Sequence, residues 1–348
     1  MKNILIIKTG SIGDVLRTTC VIEGLIEKYF NPRIFWLTSS KSIDTISNNP
    51  FIRKIFILED LDEKIYGMNF ELVISLEEDK KCLEVLSKIK KKTVFGVYGS
   101  EGRTEYTPHS SYWYNMSLVS KLGKDSADKL KKSNPFSYPE ILYKMLDLKW
   151  NKQKPRLYPK DKIKEYSFKK IEPLNYSEKI VIGLVIGAGG RWPLKILPTD
   201  LQIKLIKKLK KELNDKIEIL LITGPSELEL NSTKEIKKSL PFVKTHEIVD
   251  LNTLFGIISL CDLLITPDTL SMHIGISLNK YVVAYFTVTS AAEIEMYNGK
   301  KVITSDKNFY CSYSTENPPR PNAADNINLN KIVHHVKKAV IEKNEDKK

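Results

Sequence analysis

The sequence has few cysteines, no long apolar run and no complete dinucleotide fingerprint, and each lack removes a class of protein. Its four cysteines, Cys20, Cys82, Cys261 and Cys311, stand far apart and form no C-x-x-C pair. That spacing argues against a zinc site and predicts free thiols in a reducing cytoplasm. No apolar stretch approaches the ~18 residues that a bilayer-spanning helix needs. The first apolar run is only Ile4–Ile7 and passes at once into Gly and Asp, so it reads as an opening strand and not as a signal peptide. The turn Gly10-Ser-Ile-Gly13 lacks the first half of G-x-G-x-x-G, which argues against a dinucleotide oxidoreductase. No basic-aromatic motif of a nucleic-acid module is present, so nucleic acid is not an expected partner.

What is there describes a globular chain of two domains. The 348 residues are 42% hydrophobic and 28% charged, enough for two separate cores and too apolar for wholesale disorder. Lys plus Arg number 55 against 42 for Asp plus Glu, a formal charge of +13. Two accounts stay open: attraction to a phosphate-bearing partner or membrane surface, or solvated lysine-rich helix faces such as 88–92 and 204–211.

Strand-like runs at Ile4–Ile7, Arg33–Leu37, Ile55–Leu58, Leu72–Ser75 and Thr93–Val97 alternate with helical patterns at Val15–Tyr29 and Asp79–Lys90. The theme returns with strands at Ile180–Ile186, Ile217–Ile222, Leu263–Asp268 and Tyr281–Tyr285 and a helix at Asp200–Leu213. Such alternation predicts parallel sheets with helices on both faces, in two Rossmann-like halves. The stretch 151–178, basic and broken by Pro155, Pro159 and Pro173, reads as the connection and carries a short helix. The domains are expected at 1–160 and 161–348, with a charged, frayed tail after Ile341.

The chemistry-bearing residues cluster where these strands end. Gly10 and Gly13 permit a tight turn after the first strand. Asp14 then opens a helix, with Arg17 and Thr18 one turn later on the same face. A carboxylate there sits where open α/β sheets bind ligands, and is a candidate base. Arg17 suits an acceptor anion or an i,i+3 pair with Asp14. In the second half, the turn Gly187-Ala188-Gly189-Gly190-Arg191-Trp192-Pro193 offers amide donors and a cation for phosphate, or forms a plain turn. Glu227, after Thr223-Gly-Pro-Ser, suits a ribose hydroxyl or the first turn of a helix. Asp268 or Thr269 caps a further helix whose free amides point at a bound anion, with Leu270 and His273 behind them. The polar-aromatic segment Tyr106–Tyr114 is a candidate clasp for an acceptor.

These motifs, in this order, resemble glycosyltransferase family nine, the lipopolysaccharide heptosyltransferases. Gly10, Gly13 and Asp14, with Val15, Leu16, Thr18 and Thr19, match the family's amino-terminal loop. Ile186-Gly-Ala-Gly-Gly-Arg-Trp-Pro193 resembles its glycine loop, and Asp268-Thr-Leu-Ser-Met-His273 its donor loop. The resemblance implies an α/β GT-B fold of two Rossmann-like domains facing across a cleft, the first binding acceptor and the second a nucleotide-diphosphate sugar. It implies inverting, metal-independent transfer of a heptose or related sugar, with ADP-heptose the expected donor, to a lipopolysaccharide-core-type acceptor, with no cofactor. Asp14 falls on the catalytic aspartate, with Gly13, Arg17 and Thr18 toward the acceptor. Gly187, Ala188, Gly189, Arg191, Lys195, Glu227, Asp268, Thr269, Leu270 and His273 fall toward the donor. An anionic glycolipid acceptor implies a cytoplasmic protein with peripheral association at the inner membrane face. The chain departs from the family at Gly190, where a Lys is usual, at Leu270, where a Gly is usual, and in keeping only Cys311 of a Cys-rich terminal region. Those departures leave open a catalytically degenerate GT-B protein that binds a nucleotide or glycolipid.

Overall fold

In a computed structural model, which describes residues 1–100, 103–117, 120–175, 178–190 and 192–346 (without the side chains at 100 and 346), the opening apolar run becomes the central strand of a sheet. Six strands, β1 (Asn3–Ile7), β2 (Arg33–Thr38), β3 (Ile52–Ile57), β4 (Asn69–Ser75), β5 (Lys90–Ser100) and β6 (Arg103–Tyr106), lie in the order β3-β2-β1-β4-β5-β6. All pairs are parallel except β5 with β6. Ile4 and Ile6 enter one hydrophobic core and Leu5 and Ile7 another on the opposite face. Burial on both faces is why this strand reads as an unbroken apolar run.

The second sheet is wholly parallel: β7 (Ile180–Val185), β8 (Ile217–Ile222), β9 (Leu263–Pro267), β10 (Tyr281–Phe286) and β11 (Gly299–Ile303), in the order β11-β10-β9-β7-β8. The helix Thr199–Leu213 buries Leu205, Ile206, Leu209 and Leu213 against it. The chain divides into two units, Met1–Tyr158 with Ala292–Glu295, and Pro159–Ala291 with Met296–Lys348. The excursion Ala292–Glu295, whose Glu293 carbonyl accepts from the Tyr138 amide at 2.8 Å, has no counterpart in the two contiguous ranges expected.

Several expectations are corrected. The helical stretch from Val15 to Tyr29 is two helices, Ile12–Thr18 and Val21–Tyr29. The Thr19 hydroxyl donates to the Leu16 carbonyl at 2.7 Å and the Thr18 hydroxyl to the Asp14 carbonyl at 2.6 Å, competing with regular backbone pairing. The presumed frayed tail is helical to Asp346, because Ile332, Val333, Val336, Ala339 and Val340 bind that helix to the core. The short helix expected in the connection is present, Ile163–Phe168; it packs on the helix Leu251–Leu260, and the Ser167 hydroxyl donates to the Thr253 carbonyl at 2.9 Å. All four cysteines are free and buried, and burial pushes the Cys82 and Cys261 thiols up to about 12. Among the described residues no helix is long and apolar enough to cross a membrane.

Candidate functional site

Each sheet has one point where strand order reverses, between β1 and β4 in the first unit and between β7 and β9 in the second. Loops leaving the carboxyl ends of such strand pairs splay apart and leave a crevice. Asp14 lies on the connection after β1, Lys195 on that after β7 and Asp268 on that after β9.

In the first unit the loop after β1 is held by Glu77, which follows β4. One carboxylate oxygen of Glu77 accepts from the Thr9 amide at 2.7 Å, the Gly10 amide at 3.0 Å and the Lys8 ammonium at 2.9 Å. Three donors on one oxygen tie the two loops of the reversal together and aim the helix Ile12–Thr18. Asp14 stands in the first turn of that helix with its side chain 32% exposed, so it faces outward rather than into the core. Its Oδ2 accepts from the Ser11 amide at 3.3 Å and hydroxyl at 3.1 Å, and its Oδ1 pairs with Arg17 Nη2 at 2.8 Å. Gly13 is buried beside it.

The i,i+3 pairing weighed for Arg17 is therefore present, but it is not the whole arrangement. The guanidinium lies 3.9 Å from the centre of the Tyr138 ring and 5.8 Å from that of Trp113. Tyr138 meets Trp113 edge-on at 4.9 Å, and its hydroxyl shares a 2.8 Å hydrogen bond with the Thr18 hydroxyl. Burial pushes the Tyr138 hydroxyl well above the ordinary range, keeping it neutral. In the Tyr106–Tyr114 segment, Tyr106 stacks on Tyr114 at 4.6 Å and donates to Glu78 at 2.5 Å. The polar-aromatic segment thus builds a wall beside Asp14 and Arg17, completed by Tyr138 from a later helix.

In the second unit the loops after β7 and β9 are joined by Lys195, whose ammonium lies 3.0 Å from the Asp268 carbonyl oxygen and 3.4 Å from its carboxylate. Two residues chosen from sequence are thereby brought together, with side chains only 14% and 16% exposed. Thr269 caps the helix Leu270–Ser277 through backbone geometry alone; its hydroxyl faces that of Thr266 at 3.3 Å. Leu270 is half-buried, and His273 is buried one turn further on.

The glycine turn is occupied differently from its reading as a free amide cradle. Glu229 is 5% exposed, and its Oε1 accepts from the Gly189 amide at 3.3 Å. A Cβ on Gly187 or on Gly224 would stand 2.1 Å from that carboxyl group, so both turns close around it. Gly189 and Gly190 have φ values of +71° and +79°, a region that favours glycine. Ala188 belongs to the same turn, and Arg191 lies outside the described residues. Glu227, the acid chosen from sequence, is exposed in the first turn of the helix Glu227–Ser239. The inward acid is Glu229, whose amide donates to the Ser226 hydroxyl at 3.3 Å. The spacing Ser226-x-x-Glu229 is that of a capping box and was the available signal. At the end of β8 the Thr223 amide donates to His246 Nε2 at 3.1 Å.

Residues 67–322 match the family model for glycosyltransferase family 9 (heptosyltransferase). Comparison with curated proteins finds no match. Among solved structures, a glycosyl transferase family 9 protein from Veillonella parvula aligns with a TM-score of 0.72 at 16% identity, covering 98% of both chains. The ADP-heptose lps heptosyltransferase II of E. coli aligns at 0.68 and 16% identity, over 99% of this chain and 100% of its own. E. coli heptosyltransferase WaaC with ADP aligns at 0.61 and 12% identity, over 97% and 99%. At such identities the likeness shows the fold, a GT-B arrangement of two Rossmann-like domains.

Proposed function

The chain belongs to glycosyltransferase family 9, and from that premise we propose that it moves a heptose or related sugar from a nucleotide-diphosphate donor, ADP-heptose first among candidates, to a lipopolysaccharide-core-type acceptor. The first unit takes the acceptor and the second the donor. The acceptor hydroxyl oxygen bonds to the anomeric carbon opposite the diphosphate. The bond from that carbon to the diphosphate oxygen breaks, the nucleoside diphosphate leaves with the electron pair, and the hydroxyl proton passes to Asp14. Such positioned proton transfer contributes ~10²–10⁴ in rate. Lys195, with the amides at the start of the helix Leu270–Ser277, supplies positive charge for the leaving diphosphate in a metal-independent step. The observation that carries this reading is the outward-facing Asp14 carboxylate, held by Ser11 and Arg17 beside an aromatic wall.

The acceptor's anionic groups suit Arg17, and a glycolipid acceptor places the protein at the inner face of the cytoplasmic membrane. The testing experiment incubates the chain with a panel of nucleotide-diphosphate sugars and truncated lipopolysaccharide acceptors, then assigns the product's anomeric configuration by NMR. Inverted heptosyl product, unaffected by chelator, supports the reading, and a retained configuration contradicts it. Two observations favour a second reading, a GT-B protein that binds without transfer: Glu229 takes the Gly189 amide, and Leu270 sits where the family has Gly. In that case nucleotide diphosphate binds by calorimetry but no sugar moves.

A further inference from the structure

The amino-terminal rim of the first sheet, at the opposite strand ends from Asp14, collects exposed aromatic rings and cations with no role in the site described. The parallel register sets Asn3 level with Arg33, Ile34 with Ile52, Ile4 with Leu72, and Asn69 with Lys90. Phe30 and Phe51 therefore precede β2 and β3 at the same edge as Lys2, Arg33, Lys90 and Lys92. With neighbouring strands ~4.8 Å apart, the five strands from β3 to β5 spread this row over ~19 Å.

Phe30 is 89% exposed and Phe51 is 50% exposed. Phe30 ends the helix Val21–Tyr29 in the left-handed region, at φ +53°. Glycine is the usual residue in that position, and a bulky side chain there costs ~1 kcal/mol. The ring makes good none of this cost within the chain, since it lies in solvent. Lys2, Arg33, Lys90 and Lys92 are exposed, and a groove of about 540 Å³ runs along Lys2, Asn69 and Lys90 to Lys92. Acids temper the row: exposed Glu27 stands one turn before Phe30, Glu71 pairs with Lys92 at 3.0 Å, and Asp147 pairs with Lys28 at 2.9 Å. Both ion pairs are surface pairs of small energy. Lys91 turns away, donating to the Leu86 and Ile89 carbonyls.

Rings standing out of a row of strongly hydrated point charges fit the boundary of an anionic bilayer, where aromatic bodies enter the headgroup layer and lysines face phosphates. We infer that this rim docks on an anionic lipid surface, with Phe30 and Phe51 in the headgroup layer and Lys2, Arg33, Lys90 and Lys92 against the lipid phosphates. Docking at this rim is independent of the transferase reading, and its test needs neither donor nor acceptor.

The full chain is floated with phosphatidylcholine vesicles, with and without phosphatidylglycerol, at two salt concentrations. Binding is expected on phosphatidylglycerol vesicles, weakening with salt and at least about tenfold lower on neutral ones. Phe30→Gly relieves the left-handed strain, so it is expected to fold at least as stably while binding about tenfold more weakly. The double variant Lys90→Glu with Lys92→Glu is expected to lose at least about tenfold. Equal binding to neutral and anionic vesicles, no binding, or wild-type binding by the folded Phe30→Gly chain would overturn the inference. So would displacement from vesicles by a single-stranded oligonucleotide that binds the rim itself. Failure on any of these counts leaves the transferase reading untouched, because that reading is measured by product formation.

Discussion

Glu229 Oε1 lies 3.3 Å from the Gly189 amide nitrogen, joining the turn after β7 to the helix that follows β8. The carboxylate is buried, and Gly187 and Gly224 leave it the space that any Cβ would fill. Glu229→Ala is expected to cost about 1–3 kcal/mol, by orphaning an amide and opening a void. The same change is expected to weaken ADP binding, whereas Glu229→Gln, alike in shape, recovers most of both. Thermal unfolding and calorimetry check this; an Ala variant as stable as wild type would show that the contact carries nothing.

Glu77 does the same for the first unit by joining the loops after β1 and β4. Its loss frees the Thr9 and Gly10 amides and the turn that presents Asp14. Glu77→Ala is expected to lower kcat about 10- to 100-fold with little change in KM for the donor, since a misplaced base hurts the chemical step. Glu77→Gln keeps an acceptor for both amides and is expected to recover part of the rate. A change confined to the donor KM would contradict a positioning role.

Arg17 couples charge to stacking. A lysine can pair with Asp14 but presents no plane to the Tyr138 ring. Arg17→Lys is therefore expected to raise the acceptor KM nearly as much as Arg17→Ala, by about tenfold. Full recovery by Lys would show that the Asp14 ion pair alone matters.

His246 predicts a pH dependence of stability. Burial lowers its pKa from the ordinary 6.5, and its Nε2 accepts from the Thr223 amide while Nδ1 lies 2.5 Å from the Glu247 carbonyl oxygen. The folded state thus prefers the neutral ring. With the folded pKa below the unfolded one, this stabilisation is complete above pH 6.5 and is lost as pH falls through the folded value. His246→Gln, which keeps an acceptor without a titrating proton, is expected to flatten the decline in melting temperature below that pH. An unchanged slope would contradict the assignment.

The buried parallel strands were legible because burial on both faces writes a continuous apolar run, as in Ile4–Ile7 and Ile180–Val185. Two edge strands were not. Arg103–Tyr106 and Gly299–Ile303 are polar or basic, because an edge strand needs only partial cover. The helix Leu251–Leu260 is apolar on nearly all sides and gave no 3.6-residue rhythm. In the site, Asp14 with Arg17 could be read from local spacing, and Lys195 with Asp268 from adjacency to two strand ends. Glu77 and Tyr138 could not, because their partners lie 67 and 120 residues away in sequence. Local pattern says nothing about which distant side chain fills a turn. Glu227 adjoins the turn, but the capping spacing from Ser226 points to Glu229.

The central claim is that the Asp14 carboxylate takes the proton of the attacking hydroxyl. Single-turnover sugar transfer by Asp14→Asn, with donor and acceptor saturating, tests it most directly. The substitution keeps size and one acceptor oxygen while removing the base and the charge that pairs with Arg17. The account predicts a loss of about 10²–10⁴ in rate with nucleotide binding and melting temperature near those of the parent chain. Transfer at the parent rate by a folded Asp14→Asn protein would contradict it.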